Sequence, residues 1–224
     1  MPRGLRRFHE SGQSHFVTFS CRRRHAYFAT AEVFDLFVRC LENMRIRFDI
    51  CVYGYVVMPE HVHLLLSEPG GLELHQSSRG DCSQVSAQRT GANLGHHASV
   101  TLAEAIHYLK LSFTKRRSLW SSDSQVSAQK AGANLGHPLG SFWEKRYYDR
   151  NVRDYDEFKV KLRYLHRNPV KRGLVQTPEQ WKWSSYRHYA LREIGAVEIE
   201  SEWTARDREL KVRGGNRRVF LLPE

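Results

Sequence analysis

Met58-Pro59-Glu60-His61-Val62-His63-Leu64-Leu65-Leu66 is the stretch on which the fold turns. Proline cannot donate to a strand ladder, so Met58-Pro59-Glu60 reads as a turn. After it, Val62, Leu64 and Leu66 stand at every second position, the period of a strand. They point towards a core, and His61 and His63 project together from the opposite face. The strand runs from His61 to Ser67 and ends in a second turn, Glu68-Pro69-Gly70-Gly71. On its upstream side, Ile50 to Val57 is rich in Val and Tyr and reads as a partner strand. The tight connection makes the two a hairpin.

Further out, apolar residues Val33, Phe34, Leu36, Phe37, Cys40, Leu41 and Met44 fall at helical spacing between Ala31 and Phe48. His15 to Cys21 alternates as a strand, followed by the basic loop Arg22, Arg23 and Arg24. Downstream, Leu102 to Arg117 is helical, with Leu102, Ile106, Leu109 and Phe113 on one side. Phe142 to Val152 is a short aromatic segment that fits a strand. Asp154 to Asn168 reads as a helix with Asp154 as its N-cap and Asn168-Pro169 as its stop. The order β-α-β-β-α-β plus an extra helix predicts an α+β fold. Its architecture is a ferredoxin-like (RRM-like) antiparallel sheet with helices on one face.

We place one domain over residues 1–190 and a polar, Gly-containing tail of unassigned role over 191–224. Ser83 to His96 recurs as Ser124 to His137, with only Arg89/Lys130 and Thr90/Ala131 differing. Two copies are too few for a stacked array. Both are polar and flank the Leu102 helix, so they read as loop insertions near 81–99 and 122–140, where added length costs little. A duplicated binding loop is the alternative.

Lys and Arg total 35 against 24 Asp and Glu, a formal charge of +11 over 224 residues. That balance favours a polyanionic partner. Cys21, Cys40, Cys51 and Cys82 form no C-x-x-C pair, which argues against a zinc knuckle or redox motif. No stretch approaches a membrane span or a signal peptide. The expected location is the cytoplasm, with no membrane partner.

Two constellations carry chemistry. Imidazoles two apart on a strand can share one divalent metal, and the apolar alternation and preceding turn favour His61 and His63 as ligands; a structural or solvent-exposed pair is the alternative. On the Asp154 helix, Tyr164 and Asn168 are four apart and share a face. Asn168 could supply a hard oxygen ligand to Mg²⁺ or Mn²⁺, and Tyr164 a nucleophile. A buried aromatic and a helix C-cap account for the same pair. Glu60 reads as a solvent-facing turn residue, with support of a histidine as the second option. Trp181, Trp183 and Tyr186 read as packing for the C-terminal segment. Candidate phosphate contacts are Arg3, Arg6, Arg7, Arg22, Arg23, Arg24, Lys115, Arg116 and Arg117.

Six segments carry a resemblance: His15-Phe-Val-Thr-Phe-Ser; Gly54-Tyr-Val-Val-Met-Pro-Glu-His-Val-His-Leu-Leu; Leu109-Lys-Leu-Ser-Phe-Thr-Lys-Arg-Arg; Phe142-Trp-Glu-Lys-Arg-Tyr-Tyr-Asp-Arg; Tyr164-Leu-His-Arg-Asn-Pro-Val-Lys-Arg-Gly-Leu-Val; and Trp183-Ser-Ser-Tyr. In order and spacing the chain resembles the REP-associated tyrosine transposases, relatives of the single-tyrosine HUH transposases of bacterial insertion sequences. The resemblance implies an HUH endonuclease type of fold and a Mg²⁺ or Mn²⁺ cofactor. It implies nicking and rejoining of single-stranded or hairpin DNA, such as repetitive palindromes, through a 5′-phosphotyrosine. It maps the HUH histidines onto His61 and His63 and the nucleophile onto Tyr164, with Tyr147 and Tyr148 as rivals. Asn168 stands where the insertion-sequence relatives often carry Gln. A monomer and a homodimer are both compatible. The alternatives are a non-catalytic nucleic-acid-binding module, a metal-dependent nuclease acting through water, and a decayed transposase.

Overall fold

The structure, a computed structural model, describes residues 12–70, 100–128 and 142–217, with side chains omitted for 120–128 and 212–217. Arg3, Arg6, Arg7 and the first repeat copy lie outside the described residues. The second copy enters only through Ser124 to Ala128.

Four strands form one antiparallel sheet: β1 (Ser14–Ser20), β2 (Val52–Val57), β3 (His61–Leu66) and β4 (Tyr148–Val152). Their spatial order, β2-β3-β1-β4, is that of a ferredoxin-like sheet. Helices α1 (Ala31–Phe48) and α2 (Leu102–Ala128) connect them, so the α+β architecture is as expected. α2 continues past the expected Arg117 to Ala128.

Directly paired residues share a face. Val17 pairs with Leu64, and Phe19 with Val62. This face meets α1 and α2 in an aromatic core, where Phe19 packs on Phe37 and Trp143, and Phe28 on Phe113. The other face carries the pairs Phe16–Leu65, Thr18–His63, Ser20–His61 and Thr18–Tyr148.

A third helix, α3 (Tyr155–Lys171), covers that second face; the expectation of helices on one face holds for α1 and α2 alone. Its docking requires Gly54. A Cβ at that position would stand 2.7 Å from Leu162 Cδ1 and 3.4 Å from Leu165 Cδ2. Replacing Gly54 by Val should cost about 1–3 kcal/mol of stability by overpacking, read as a lower urea midpoint. An unchanged midpoint would show that α3 does not rest on this strand.

The start of α3 is as expected: Asp154 accepts a 2.7 Å hydrogen bond from the Glu157 amide. Its end is not. Pro169 lies inside the helix rather than stopping it. Proline removes one amide, but the last turn closes through Arg172 N to Asn168 O, Gly173 N to Val170 O and Leu174 N to Pro169 O. Gly173 supplies the left-handed residue (φ +68°) that ends the helix. The extra turn carries Lys171 and Arg172 onto the sheet side.

β2 is an edge strand, and later chain covers its open ladder. Val57 N bonds Trp183 O, Ser185 N bonds Tyr55 O, and Glu200 N bonds Val52 O. Such a cover suppresses pairing with another chain. A short helix α4 (Tyr186–Leu191) and a longer α5 (Glu202–Arg217) follow, and Val197 and Ile199 between them are buried in the core. Trp181 and Trp183 pack against Phe34, as expected of packing residues.

His166 on α3 is buried and sits 2.8 Å from Ser185 Oγ. Burial, with His188 nearby, lowers its pKa to about 3. The unfolded chain takes up this proton near pH 6.5, while the folded chain resists it. The stabilising contribution is therefore complete above pH 6.5 and is lost as pH falls towards 3. Between pH 7 and 5 the difference in stability between wild type and His166→Gln should shrink by about 2 kcal/mol. Urea unfolding at both values measures it, and parallel pH profiles would refute the assignment.

Candidate active site

β3 is the second strand from the β2 edge and is buried along its whole length, because α3 lies over the face that carries its histidines. Strand alternation puts His61 and His63 side by side on that face. Their Nε2 atoms are 3.0 Å apart. The Nδ1 atom of His63 is 2.7 Å from Thr18 Oγ1 on the neighbouring strand. The Nδ1 atom of His61 is 3.2 Å from Glu60 Oε1. Glu60 is buried and ion-paired with Arg172, which corrects its reading as a solvent-facing turn residue. The reason is the last turn of α3, which brings a guanidinium over the hairpin.

Burial lowers the pKa of His63 to about 3, with His61, Arg24 and Lys161 adding to the effect. Burial also lowers that of His61, against the pull of Glu60. Both rings are thus neutral at pH 7. The two Nε2 atoms face each other; His63 Nδ1 meets Thr18 Oγ1, whereas His61 Nδ1 lies near Glu60 Oε1 outside hydrogen-bond geometry. Two nitrogens held about 2.1 Å from one ion at a right angle are about 3.0 Å apart. The observed spacing fits a shared divalent cation. Among the described residues, no group of three or more His, Cys, Asp or Glu is placed to hold a metal.

The helix brings an amide to the same cleft. Tyr164 and Asn168 lie on the α3 face that meets the sheet, and both line a cleft of about 540 Å³ with His61 and His63. The Tyr164 ring is 5.3 Å from that of His63 and 5.9 Å from that of Phe16, edge-on to both. Asn168 is buried, whereas Tyr164 remains 42% exposed, so its hydroxyl-bearing ring is accessible to a large substrate.

Of the rival tyrosines, Tyr148 lines the cleft and Tyr147 packs against the core. Tyr147 precedes β4 and is absent from the cleft lining. Arg24 lines the cleft, whereas Arg22 and Arg23 are exposed outside its lining. Lys115, Arg116 and Arg117 sit on α2, across the sheet. Arg116 donates to Cys40 Sγ at 3.6 Å, and Arg117 lies 4.9 Å over the Phe142 ring.

Sequence reasoning missed the cations that line the cleft: Lys161, Lys171 and Arg172. The signal was present, because Lys161, Tyr164, Asn168 and Lys171 share one helical stripe. Lys161 Nζ lies 5.0 Å over Phe16, and Lys171 Nζ 5.6 Å over Tyr164. The cleft therefore combines neutral nitrogen donors, an amide, an accessible phenol and a ring of positive charge. That set is suited to an anionic phosphodiester.

No protein-family model matches the chain. A Haemophilus influenzae protein provisionally named a REP-associated tyrosine transposase is 29% identical over 72 residues, spanning 32% of this chain and 38% of that protein. The match thus reaches well under two thirds of the relative's length. A solved structure described as a REP-associated tyrosine transposase bound to a REP hairpin aligns with 89% of this chain and 93% of its own, at 16% identity and a TM-score of 0.54. It shows the fold. A Deinococcus radiodurans structure provisionally called a transposase aligns with 72% of this chain at 16% identity, with a TM-score of 0.37, too low to carry an argument. The sequence relative carries the same family name as the resemblance drawn from the motifs, and the solved structure agrees with the expected fold.

Proposed function

We propose that this chain is a transposase-type DNA-processing enzyme that nicks and rejoins single-stranded DNA, acting on hairpin or repetitive palindromic sequences. The observation that carries the reading is the meeting of the His61–His63 nitrogen pair with the Tyr164 ring in one cation-lined cleft. His61, His63 and Asn168 would hold Mg²⁺ or Mn²⁺. When bound, such an ion supplies Lewis-acid polarisation of the scissile phosphate.

Arg24, Lys161 and Lys171 draw the DNA backbone into the cleft and offset its charge. Tyr164 Oη attacks phosphorus in line. The P–O3′ bond breaks, the phenol proton passes to water in the cleft, and the leaving 3′-oxygen takes up a proton. The product is a 5′-phosphotyrosine and a free 3′-hydroxyl. Attack by a 3′-hydroxyl on that phosphotyrosine restores Tyr164 and a phosphodiester, so rejoining needs no ATP. Every proposed residue comes from one chain, so a homodimer is not required for chemistry. No described helix is long and apolar enough to cross a membrane.

A non-catalytic RRM-like module is disfavoured by the position of α3. Such modules stack bases on an open sheet face, and here α3 covers the face opposite the core.

The test is a denaturing gel of the protein incubated with labelled hairpin DNA from its own genomic flanks. We expect a covalent band with Mn²⁺ or Mg²⁺ that disappears with EDTA. DNA binding without a band under either metal would favour a binding module or a decayed enzyme.

A further inference from the structure

We infer that Glu60 and Arg172 form a positioning pair that sets the distance between the imidazoles of β3 and the Tyr164–Asn168 face of α3. The inference rests on the function proposed above for those residues.

Glu60 is the last residue of the turn that leads into β3. Its backbone is fastened: its carbonyl accepts from Cys21 N at 2.9 Å, and the turn closes through Met58 N to His61 O at 2.8 Å. Its carboxylate is consequently held in place, 3.2 Å from His61 Nδ1 and ion-paired with Arg172. Arg172 caps α3, and its own amide donates to the Asn168 carbonyl at 3.0 Å. A closed path therefore runs from His61 through Glu60 and Arg172 to Asn168. It joins the two elements that would share a metal.

Other described contacts of α3 with the sheet lie further towards its N-terminus, the Tyr164 ring on His63 and Phe16 among them. Leu162 and Leu165 rest against Gly54, and Glu157 pairs with Arg150 at 2.8 Å near the N-terminus. The Glu60–Arg172 pair acts at the C-terminal turn, beside Asn168. It is also asymmetric. The Glu60 side chain is 10% exposed and that of Arg172 50%. Removing the arginine leaves a carboxylate buried without its counter-charge next to a ligand imidazole. The helix end would lift and the histidine would turn.

The test uses the full chain, with Glu60→Gln, Arg172→Gln, Arg172→Lys and the double glutamine variant. Mn²⁺ binding is read from the free-ion electron paramagnetic resonance signal. Each single glutamine variant should bind Mn²⁺ about 10–100-fold more weakly. The double variant should be no weaker than the worse single one, and Arg172→Lys should recover part of the loss. At saturating metal and hairpin DNA, adduct formation should fall at least about tenfold. Multiplying losses in the double variant, or a defect confined to DNA affinity, would overturn the pairing; the latter would make Arg172 a phosphate contact.

Hydrogen exchange of amides 164–172 in metal-free protein separates the inference from the function it rests on. Faster exchange in both single variants supports the pair even if wild type binds no Mn²⁺, in which case the metal reading alone fails. Unchanged exchange overturns the pair whatever the metal does.

Discussion

Tyr164→Phe should abolish the covalent protein–DNA adduct, with a rate loss of about 10⁴ or more, while hairpin binding stays within about threefold. The substitution removes a single oxygen. The ring that packs edge-on against His63 and Phe16 remains, so the cleft keeps its shape. Tyr148→Phe also removes a hydroxyl from the cleft lining, but from β4 rather than from the helix that carries Asn168. We expect it to retain adduct formation within about tenfold of wild type, the scale of a lost polar contact. The decisive comparison is single-turnover adduct formation for the two variants on the same labelled hairpin. If Tyr148→Phe loses the adduct and Tyr164→Phe keeps it, the nucleophile is on the strand and the roles reverse.

The second large effect concerns His63. His63→Ala removes one of two nitrogens that stand 3.0 Å apart. Adduct formation at fixed Mn²⁺ should fall by about 10²–10³, the scale of a lost charge-stabilising contact at a reacting phosphate. The apparent metal affinity should fall with it. The folding cost should be smaller, about 1–3 kcal/mol, for the cavity and for the loss of the Thr18 partner. The separation of scale matters because His63 is buried. A variant that merely unfolds would lose DNA binding and its cooperative urea transition. The expected variant keeps both and fails only in the metal-dependent step. Full adduct formation by His63→Ala would remove the histidine pair from the mechanism.

Much of the framework was legible because it depends on local periodicity. The His61–Leu66 alternation, the helical spacing from Ala31 to Phe48 and the Asp154 cap each act over a few residues, and each appears where the pattern put it. The proximity of Tyr164 and Asn168 was likewise a matter of helix pitch. What was not legible depended on distant partners. Nothing around Glu60 announces burial, because the group that buries it arrives from Arg172 at the far end of α3. Pro169 signalled a helix end, and only the closing bonds from Arg172, Gly173 and Leu174 explain why the helix runs on. The run Lys115-Arg116-Arg117 looks like a phosphate site in sequence, but it rides on a helix behind the sheet. The single lysines at 161 and 171 formed no run and reach the cleft through their place on a stripe.

The covering of β3 by helices on both sides has a consequence for how the protein would fail under stress. Half of the proposed chemistry belongs to a strand locked in the middle of the molecule, and the other half to an outer helix resting on it. Proteins open in pieces, and outer elements open at lower free energy than central strands. Partial opening of α3 would take Tyr164 and Asn168 away from the histidines while the rest of the sheet stayed intact. Loss of activity and loss of fold would then be two separate transitions. The first would be reversible on cooling or dilution, with the strand-borne histidines still in place to receive the returning helix.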